Sequence, residues 1–144
     1  MIYVDTSVLL VYTLTESIER ERAKAVRVLF HKIESGEVAA ATSFYALHEL
    51  FVFALENAPD TETGSAFGKG ALRQLLDTRL IILPLVTRTD RKRLAPRFSA
   101  LRDPTDLPHA ISAHAAGCNA IVAYDEHFRA ITSIITYTTP NDYA

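Results

Sequence analysis

Four acidic residues stand where carboxylates could do chemistry: Asp5, Glu49, Asp106 and Asp125. Asp5 directly follows the apolar run at 2–4, and Asp125 lies two residues beyond the apolar run at 120–123. Short apolar runs of this kind predict buried strands. Because sites in parallel α/β sheets form outside the carboxyl ends of the strands, near a topological switch point, both acids stand where a site is expected.

Glu49 lies in the apolar segment 44–55, which predicts a buried helix. None of its neighbours one turn away is cationic: Tyr45, Ala46, Val52 and Phe53. A carboxylate on a buried helix is costly unless a cation or hydrogen bonds compensate it. The alternative is that Glu49 lies near a solvent-exposed end of its helix.

The other three acids also have purely structural explanations. Asp5 and Asp125 could each cap the segment that follows them. The sequence Asp103-Pro104-Thr105-Asp106 predicts a helix start, with Asp103 as N-cap and Asp106 in the first turn, where negative charge suits the helix dipole. One residue can serve both a structural and a chemical purpose, so these explanations leave a site open.

Taken together, the four acids indicate a metal site. Carboxylates that meet at one sheet edge repel each other unless a cation is present. Oxygen ligands without a zinc-like set of Cys and His favour Mg²⁺ or Mn²⁺. Such ions can activate water and stabilise the leaving oxygen in phosphodiester hydrolysis.

The elements that must position these residues alternate between strands and helices. Strands are predicted at 2–4, 38–42, 80–83, 120–123 and 133–137. Helices are predicted at 19–34, 44–57, 61–79, 88–101 and 105–116, the third weakened by Gly64, Gly68 and Gly70. This alternation predicts a parallel α/β sheet with helices on both faces.

Length and charge limit the remaining possibilities. The 144 residues fit one domain, 1–144, and the hydrophobic fraction of 49% is that of a globular protein. The net charge of −2 excludes attraction of nucleic acid by the molecule as a whole, so a local basic patch would be needed. The candidate RNA-binding patch lies on the helix that carries Arg88, Arg91, Lys92 and Arg93. A plain solvated helix face is the alternative.

The cysteine and histidine content adds little chemistry. The single cysteine, Cys118, excludes an internal disulfide and fits a reducing compartment. No apolar run reaches the roughly 18 residues of a membrane span, and the N-terminus is unlike a secretory signal, so we expect a cytoplasmic protein without membrane association. The five histidines lack zinc-protease spacing and favour surface or packing roles; only His127, beside Asp125, is a candidate for the site.

The ordered set of segments around the acids resembles the PIN-domain family, and in particular its VapC-type toxin ribonucleases. The resemblance rests on a strand followed by Asp-Thr-Ser, a helix carrying Glu, an Asp followed by an Ala-rich helix and a glycine, and a strand followed by the last acid and Phe. These segments are 2–10, 42–50, 106–118 and 120–128.

The resemblance implies a three-layer α/β/α domain with a five-stranded parallel sheet. It implies a divalent-metal site formed by Asp5, Glu49, Asp106 and Asp125, and cleavage of RNA. It also implies a homodimer and, for the toxin branch, an antitoxin protein as partner.

One position departs from the family pattern. The family has Thr or Ser two residues before the last acid, and this chain has Ala123. Ser7 is the candidate to supply a supporting hydroxyl, and Asp103 is a candidate substitute ligand for Asp125. The departure keeps two other functions open: a catalytically weak PIN-fold module that binds nucleic acid or protein, and a metal-dependent phosphohydrolase of small molecules.

Overall fold

The computed structural model describes all residues from 1 to 144. Its five strands are β1 (Ile2–Val4), β2 (Ala40–Ser43), β3 (Ile81–Leu83), β4 (Ala120–Val122) and β5 (Thr136–Thr138). Its six α-helices are α1 (Thr6–Thr13), α2 (Arg20–Ser35), α3 (Phe44–Glu56), α4 (Thr61–Leu76), α5 (Arg88–Leu94) and α6 (Leu107–Ala115). Short 3-10 helices span Ala95–Phe98, Glu126–Ile131 and Pro140–Tyr143. None of the helices combines the length and the apolar character that crossing a bilayer requires.

All five strands are parallel and lie in the order β3-β2-β1-β4-β5. The chain builds outward from β1 to β3 and then returns to place β4 on the other side of β1. The topological switch point therefore lies between β1 and β4, where a parallel sheet offers a crevice at its carboxyl edge. The predicted α/β fold with its five-stranded parallel sheet is confirmed.

The alternation of side chains along β1 divides the interior into two cores. Ile2 and Val4 face the larger core, which is built with helices α1 to α4. Tyr3 faces the opposite core, which is built with α5 and α6. Since successive side chains of a strand point to opposite faces, one short strand contributes to both layers. Tyr3 therefore points toward α6, the helix that follows Asp106.

Several predicted boundaries shift for local reasons. The helix predicted at 88–101 ends at Leu94 and continues as a 3-10 turn containing Pro96, which cannot donate a backbone hydrogen bond. Strand β2 begins two residues late because Val38 N donates to Lys32 O and closes the end of α2. The last strand begins at Thr136 because a 3-10 helix and a turn occupy the residues before it.

The glycines that were predicted to weaken α4 do not interrupt it. The helix runs unbroken for 16 residues, and its N-cap Asp60 accepts a hydrogen bond from Thr63 N at 2.7 Å. A Cβ on Gly64 would approach Leu55 Cα to 2.9 Å, and a Cβ on Gly68 would approach the ring of Phe51 to 2.5 Å. The two glycines allow α4 to pack closely against α3.

Candidate metal centre

Asp5 lies at the junction between β1 and α1, buried at the switch point. Its backbone N donates to Val122 O at 3.0 Å, which holds it beside the end of β4. Its Oδ2 caps α1 by accepting hydrogen bonds from Ser7 N at 3.0 Å and Ser7 Oγ at 2.7 Å. Its Oδ1 faces His109 Nδ1 at 3.9 Å. Burial raises the pKa of Asp5, although His109 and Ser7 act in the opposite direction. Asp5 is thus a helix cap that keeps one oxygen turned toward the crevice.

His109 lies among Asp5, Glu49 and Asp106, and sequence reasoning missed it. We call these three acids together with Asp125 the acidic centre. Its side chain is only 2% exposed. Its Nε2 is hydrogen-bonded to Glu49 Oε1, and its Nδ1 lies 2.7 Å from the hydroxyl of Tyr3. Its place one helical turn after Asp106 was an available signal, because residues three apart share a helix face.

Glu49 reaches the centre from an open helix face rather than a buried one. Helix α3 buries only Ala46, Leu50 and Ala54, and Phe44 is 52% exposed. The Glu49 side chain is 43% exposed, so the expectation of a buried helix is wrong. Helix α3 has more apolar residues than its contacts with the sheet and α4 can bury.

Asp106 still lies at the N-terminus of a helix, at the N-cap position rather than in the first turn. The helix begins at Leu107, later than predicted, and Asp106 precedes it without making a side-chain cap hydrogen bond. Asp103 instead closes a local turn by accepting hydrogen bonds from Thr105 N at 2.9 Å and Thr105 Oγ1 at 2.8 Å. Asp106 is 7% exposed. Burial, together with the charges of Asp125 and Asp103, raises the pKa of Asp106 from 3.8 to about 6.

Asp125 lies at the outer side of the centre and is joined to Asp106 through His127. Its Oδ1 caps the following 3-10 helix by accepting from His127 N at 2.9 Å. His127 Nδ1 lies 3.2 Å from Asp106 Oδ2 and 3.2 Å from Asp125 Oδ1. Ligand-type atoms of Asp103, Asp106 and His127 all lie within 4.8 Å of one another. The histidine singled out beside Asp125 therefore does contact two of the acids.

The four acids have no lysine or arginine as an ion-pair partner; only His109 and His127 approach them within 4.0 Å. Burial opposes protonation of His109, but its hydrogen bond to Glu49 and the charges of the surrounding carboxylates outweigh burial and raise its pKa. Raised pKa values of two buried carboxyls and of the histidine among them describe a site short of positive charge. A divalent cation would supply the missing positive charge, and carboxylate oxygens are suitable ligands for it. The acids and histidines whose ligand atoms lie within 4.8 Å of one another are Asp103, Asp106 and His127, so the structure does not bring Asp5, Glu49 and Asp125 into that group.

Ser7 supports Asp5 rather than Asp125. Its hydroxyl donates to Asp5 Oδ2 and accepts from Tyr124 N at 2.9 Å, tying α1 to the loop after β4. Ala123 is fully buried and has no hydroxyl to offer Asp125. The candidate RNA-binding residues of α5 are exposed, and α5 packs against α6, the helix that follows Asp106.

The parallel α/β fold, with acidic residues at its switch point, agrees with the family whose model the sequence matches. Residues 2–133 match the model of the PIN domain, and the chain belongs to the PIN-domain family. A comparison with curated proteins gives no match.

Solved structures share the fold over nearly the whole length of both chains. VapBC2 from Rickettsia felis, bound to a DNA fragment from its promoter, is 18% identical with a TM-score of 0.64, covering 96% of this chain and 98% of its own. VapC20 from Mycobacterium tuberculosis, a toxin that cleaves the sarcin-ricin loop, is 17% identical with a TM-score of 0.66, covering 90% and 94%. DNA-bound VapBC from Salmonella typhimurium is 21% identical with a TM-score of 0.63, covering 96% and 97%.

Proposed function

We propose that this protein is a metal-dependent endoribonuclease and the toxin of a toxin–antitoxin pair. The observation that carries the proposal is the acidic centre at the switch point, whose buried carboxyls have raised pKa values and no arginine or lysine beside them. Membership of the PIN-domain family supports nuclease chemistry. The likeness to a toxin described as cleaving the sarcin-ricin loop supports RNA as substrate.

In this proposal Asp5, Glu49, Asp106 and Asp125 bind Mg²⁺ or Mn²⁺. The bound cation would supply an activated water and stabilise the leaving oxygen of the phosphodiester. Ser7 orients Asp5 by donating to its Oδ2, which leaves Oδ1 on the crevice side. The exposed cations of α5, Arg88, Arg91, Lys92 and Arg93, bind the RNA backbone electrostatically.

The assembly belongs to the proposal as well. The structural neighbours include VapBC complexes whose chains are covered almost completely, which supports an antitoxin protein as partner. A homodimer and a cytoplasmic location are further parts of the proposal, and the same likeness to the toxin branch of the family supports them. Induced expression should then arrest bacterial growth, and a variant without ribonuclease activity should not.

The test is cleavage of RNA by the purified chain with Mg²⁺ or Mn²⁺ and with EDTA. Asp5→Asn should lower cleavage by at least about 100-fold, because it removes a ligand charge while asparagine can still cap α1. The matched control is Asp60→Asn, the same change at another helix N-cap, on α4. Cleavage that needs no metal, or that survives Asp5→Asn unchanged, would contradict the proposal.

Ala123 favours a second function, a catalytically weak module that binds RNA on the same fold. Without a hydroxyl at position 123, Asp125 has only the His127 contacts to orient it. RNA binding without metal-stimulated cleavage of any substrate would favour this second function. Hydrolysis of simple phosphate monoesters with RNA left intact would instead indicate a small-molecule phosphohydrolase.

A further inference from the structure

A line of buried polar groups runs from the end of β2 to the rim of the acidic centre. Ser43 Oγ lies 2.6 Å from the hydroxyl of Tyr3, which lies 2.7 Å from His109 Nδ1, and His109 Nε2 is hydrogen-bonded to Glu49 Oε1. Ser43 and Tyr3 are fully buried, and His109 is 2% exposed. We call Ser43, Tyr3 and His109 the polar relay.

The hydrogen bonds of the polar relay can all be satisfied in one direction. Ala46 N donates to Ser43 Oγ at 3.3 Å, which leaves the Ser43 hydroxyl hydrogen free to be donated to Tyr3. The hydroxyl of Tyr3 can in turn donate to Nδ1 of His109 when the imidazole is neutral. His109 Nε2–H then donates to Glu49. Reversing the direction would leave the buried Ser43 hydroxyl hydrogen without an acceptor, which is costly.

The relay ends on a carboxylate that has no other hydrogen bond. Glu49 is 43% exposed and is held by His109 alone. A glutamate on an open helix face otherwise samples several rotamers, and fixing it costs conformational entropy.

We propose that His109 is a positioning residue that, supported by Tyr3 and Ser43, holds Glu49 in one rotamer at the acidic centre, ready to bind a divalent cation. This inference rests on the proposed function, since it takes the acidic centre to be a metal site. It gives His109 a role, whereas the proposed function assigns none to this residue. Groups that orient metal ligands commonly change metal affinity 10- to 100-fold when they are removed.

The experiment measures the affinity of the full chain for Mn²⁺ alone, by calorimetry or by the electron paramagnetic resonance of free Mn²⁺. Asparagine at 109 approximates the position of Nδ1 and loses the contact with Glu49, whereas glutamine approximates Nε2 and can keep it. His109→Asn should weaken Mn²⁺ binding about 10-fold or more. His109→Gln should weaken it clearly less. Equal losses in the two variants would contradict the role of His109.

A double-mutant cycle separates positioning from a general structural role. In a Glu49→Ala background, His109→Asn should change Mn²⁺ affinity less than twofold, because the group that His109 positions is gone. Losses that simply multiply would overturn the inference. If His109→Asn does not fold, Tyr3→Phe replaces it: the lost hydroxyl should weaken Mn²⁺ binding several-fold with Glu49 present and not in its absence.

The outcomes distinguish this inference from the proposed function. If the unmodified chain does not bind Mn²⁺, the proposed metal site fails and the inference fails with it. If the unmodified chain binds Mn²⁺ and Asp5→Asn abolishes binding, but both His109→Asn and Tyr3→Phe leave the affinity unchanged, only the role of the polar relay is wrong.

Discussion

Replacing Asp106 by asparagine should stabilise the metal-free protein at neutral pH. Asparagine keeps the shape of the side chain and can still accept a hydrogen bond from His127, which lies 3.2 Å from Asp106 Oδ2. It removes the negative charge that burial, Asp125 and Asp103 oppose. The perturbation therefore takes away repulsion and desolvation while it preserves packing.

The magnitude follows from the pKa of Asp106, which is about 6 in the folded chain against an ordinary 3.8. At ~1.4 kcal/mol per pKa unit, ionisation of Asp106 lowers the free energy of unfolding by about 3 kcal/mol. Because the folded pKa is the higher one, the folded state binds the proton more tightly. The penalty is absent well below pH 3.8, grows between pH 3.8 and 6, and is constant above that range.

The assay is urea unfolding with EDTA at pH 7.5 and pH 4. The variant should be more stable than the unmodified chain by about 2–3 kcal/mol at pH 7.5 and by less than about 1 kcal/mol at pH 4. Saturating Mn²⁺ should reduce the difference in free energy of unfolding between the two chains or reverse its sign, since only the unmodified chain keeps the full ligand set. The matched control is Asp103→Asn. Hydrogen bonds from Thr105 lower the pKa of Asp103, so removing the charge of Asp103 should not stabilise the protein. A destabilised Asp106→Asn chain at both pH values would refute the reasoning.

Two further experiments test the contact between Ser7 and the loop after β4 and the packing of α4 on α3. Ser7→Ala removes the acceptor of Tyr124 N and should lower the free energy of unfolding by about 1–3 kcal/mol in urea titrations. An unchanged unfolding midpoint would contradict the importance of this tie. Gly68→Ala should cost about 1–3 kcal/mol because its Cβ would meet the Phe51 ring, whereas Gly70→Ala, with nothing within 4 Å, should be neutral or stabilising. Equal effects in thermal unfolding would show that close packing of α4 on α3 is unimportant.

The fold could be read from the sequence because fully buried parallel strands are nearly continuous apolar runs. Four of the five strands lie within two residues of their predicted start, and Gly36, with φ of 81°, ends α2 where predicted. The last strand was predicted less accurately, since Ile134 and Ile135 lie in the turn between the 3-10 helix and the strand. The placement of Asp5 and Asp125 at strand ends followed directly from the same pattern.

The interior of the centre could not be read in this way. The contact of His109 with Tyr3 depends on how α6 packs on the sheet, which the pattern of apolar residues along one segment does not determine. The exposure of Glu49 depends on which face of α3 is covered by α4. Asp106 was predicted in the first turn of a helix capped by Asp103. The helix instead starts at Leu107, which places Asp106 at the N-cap position without a side-chain cap hydrogen bond, and Pro108 lies in the first turn, where the missing N–H needs no partner.

The contacts that assemble the centre join the two ends of the chain. Tyr3 and His109 are 106 residues apart, and Ser7 and Tyr124 are 117 residues apart. During synthesis, a nascent chain that has reached α4 already carries Asp5 and Glu49. It does not yet carry His109 or the loop whose Tyr124 N donates to Ser7. Long-range contacts of this kind form late, because loop closure must precede them. The acidic centre is therefore completed only after residues 109–127 have been made, and products terminated before them carry ligands without a site.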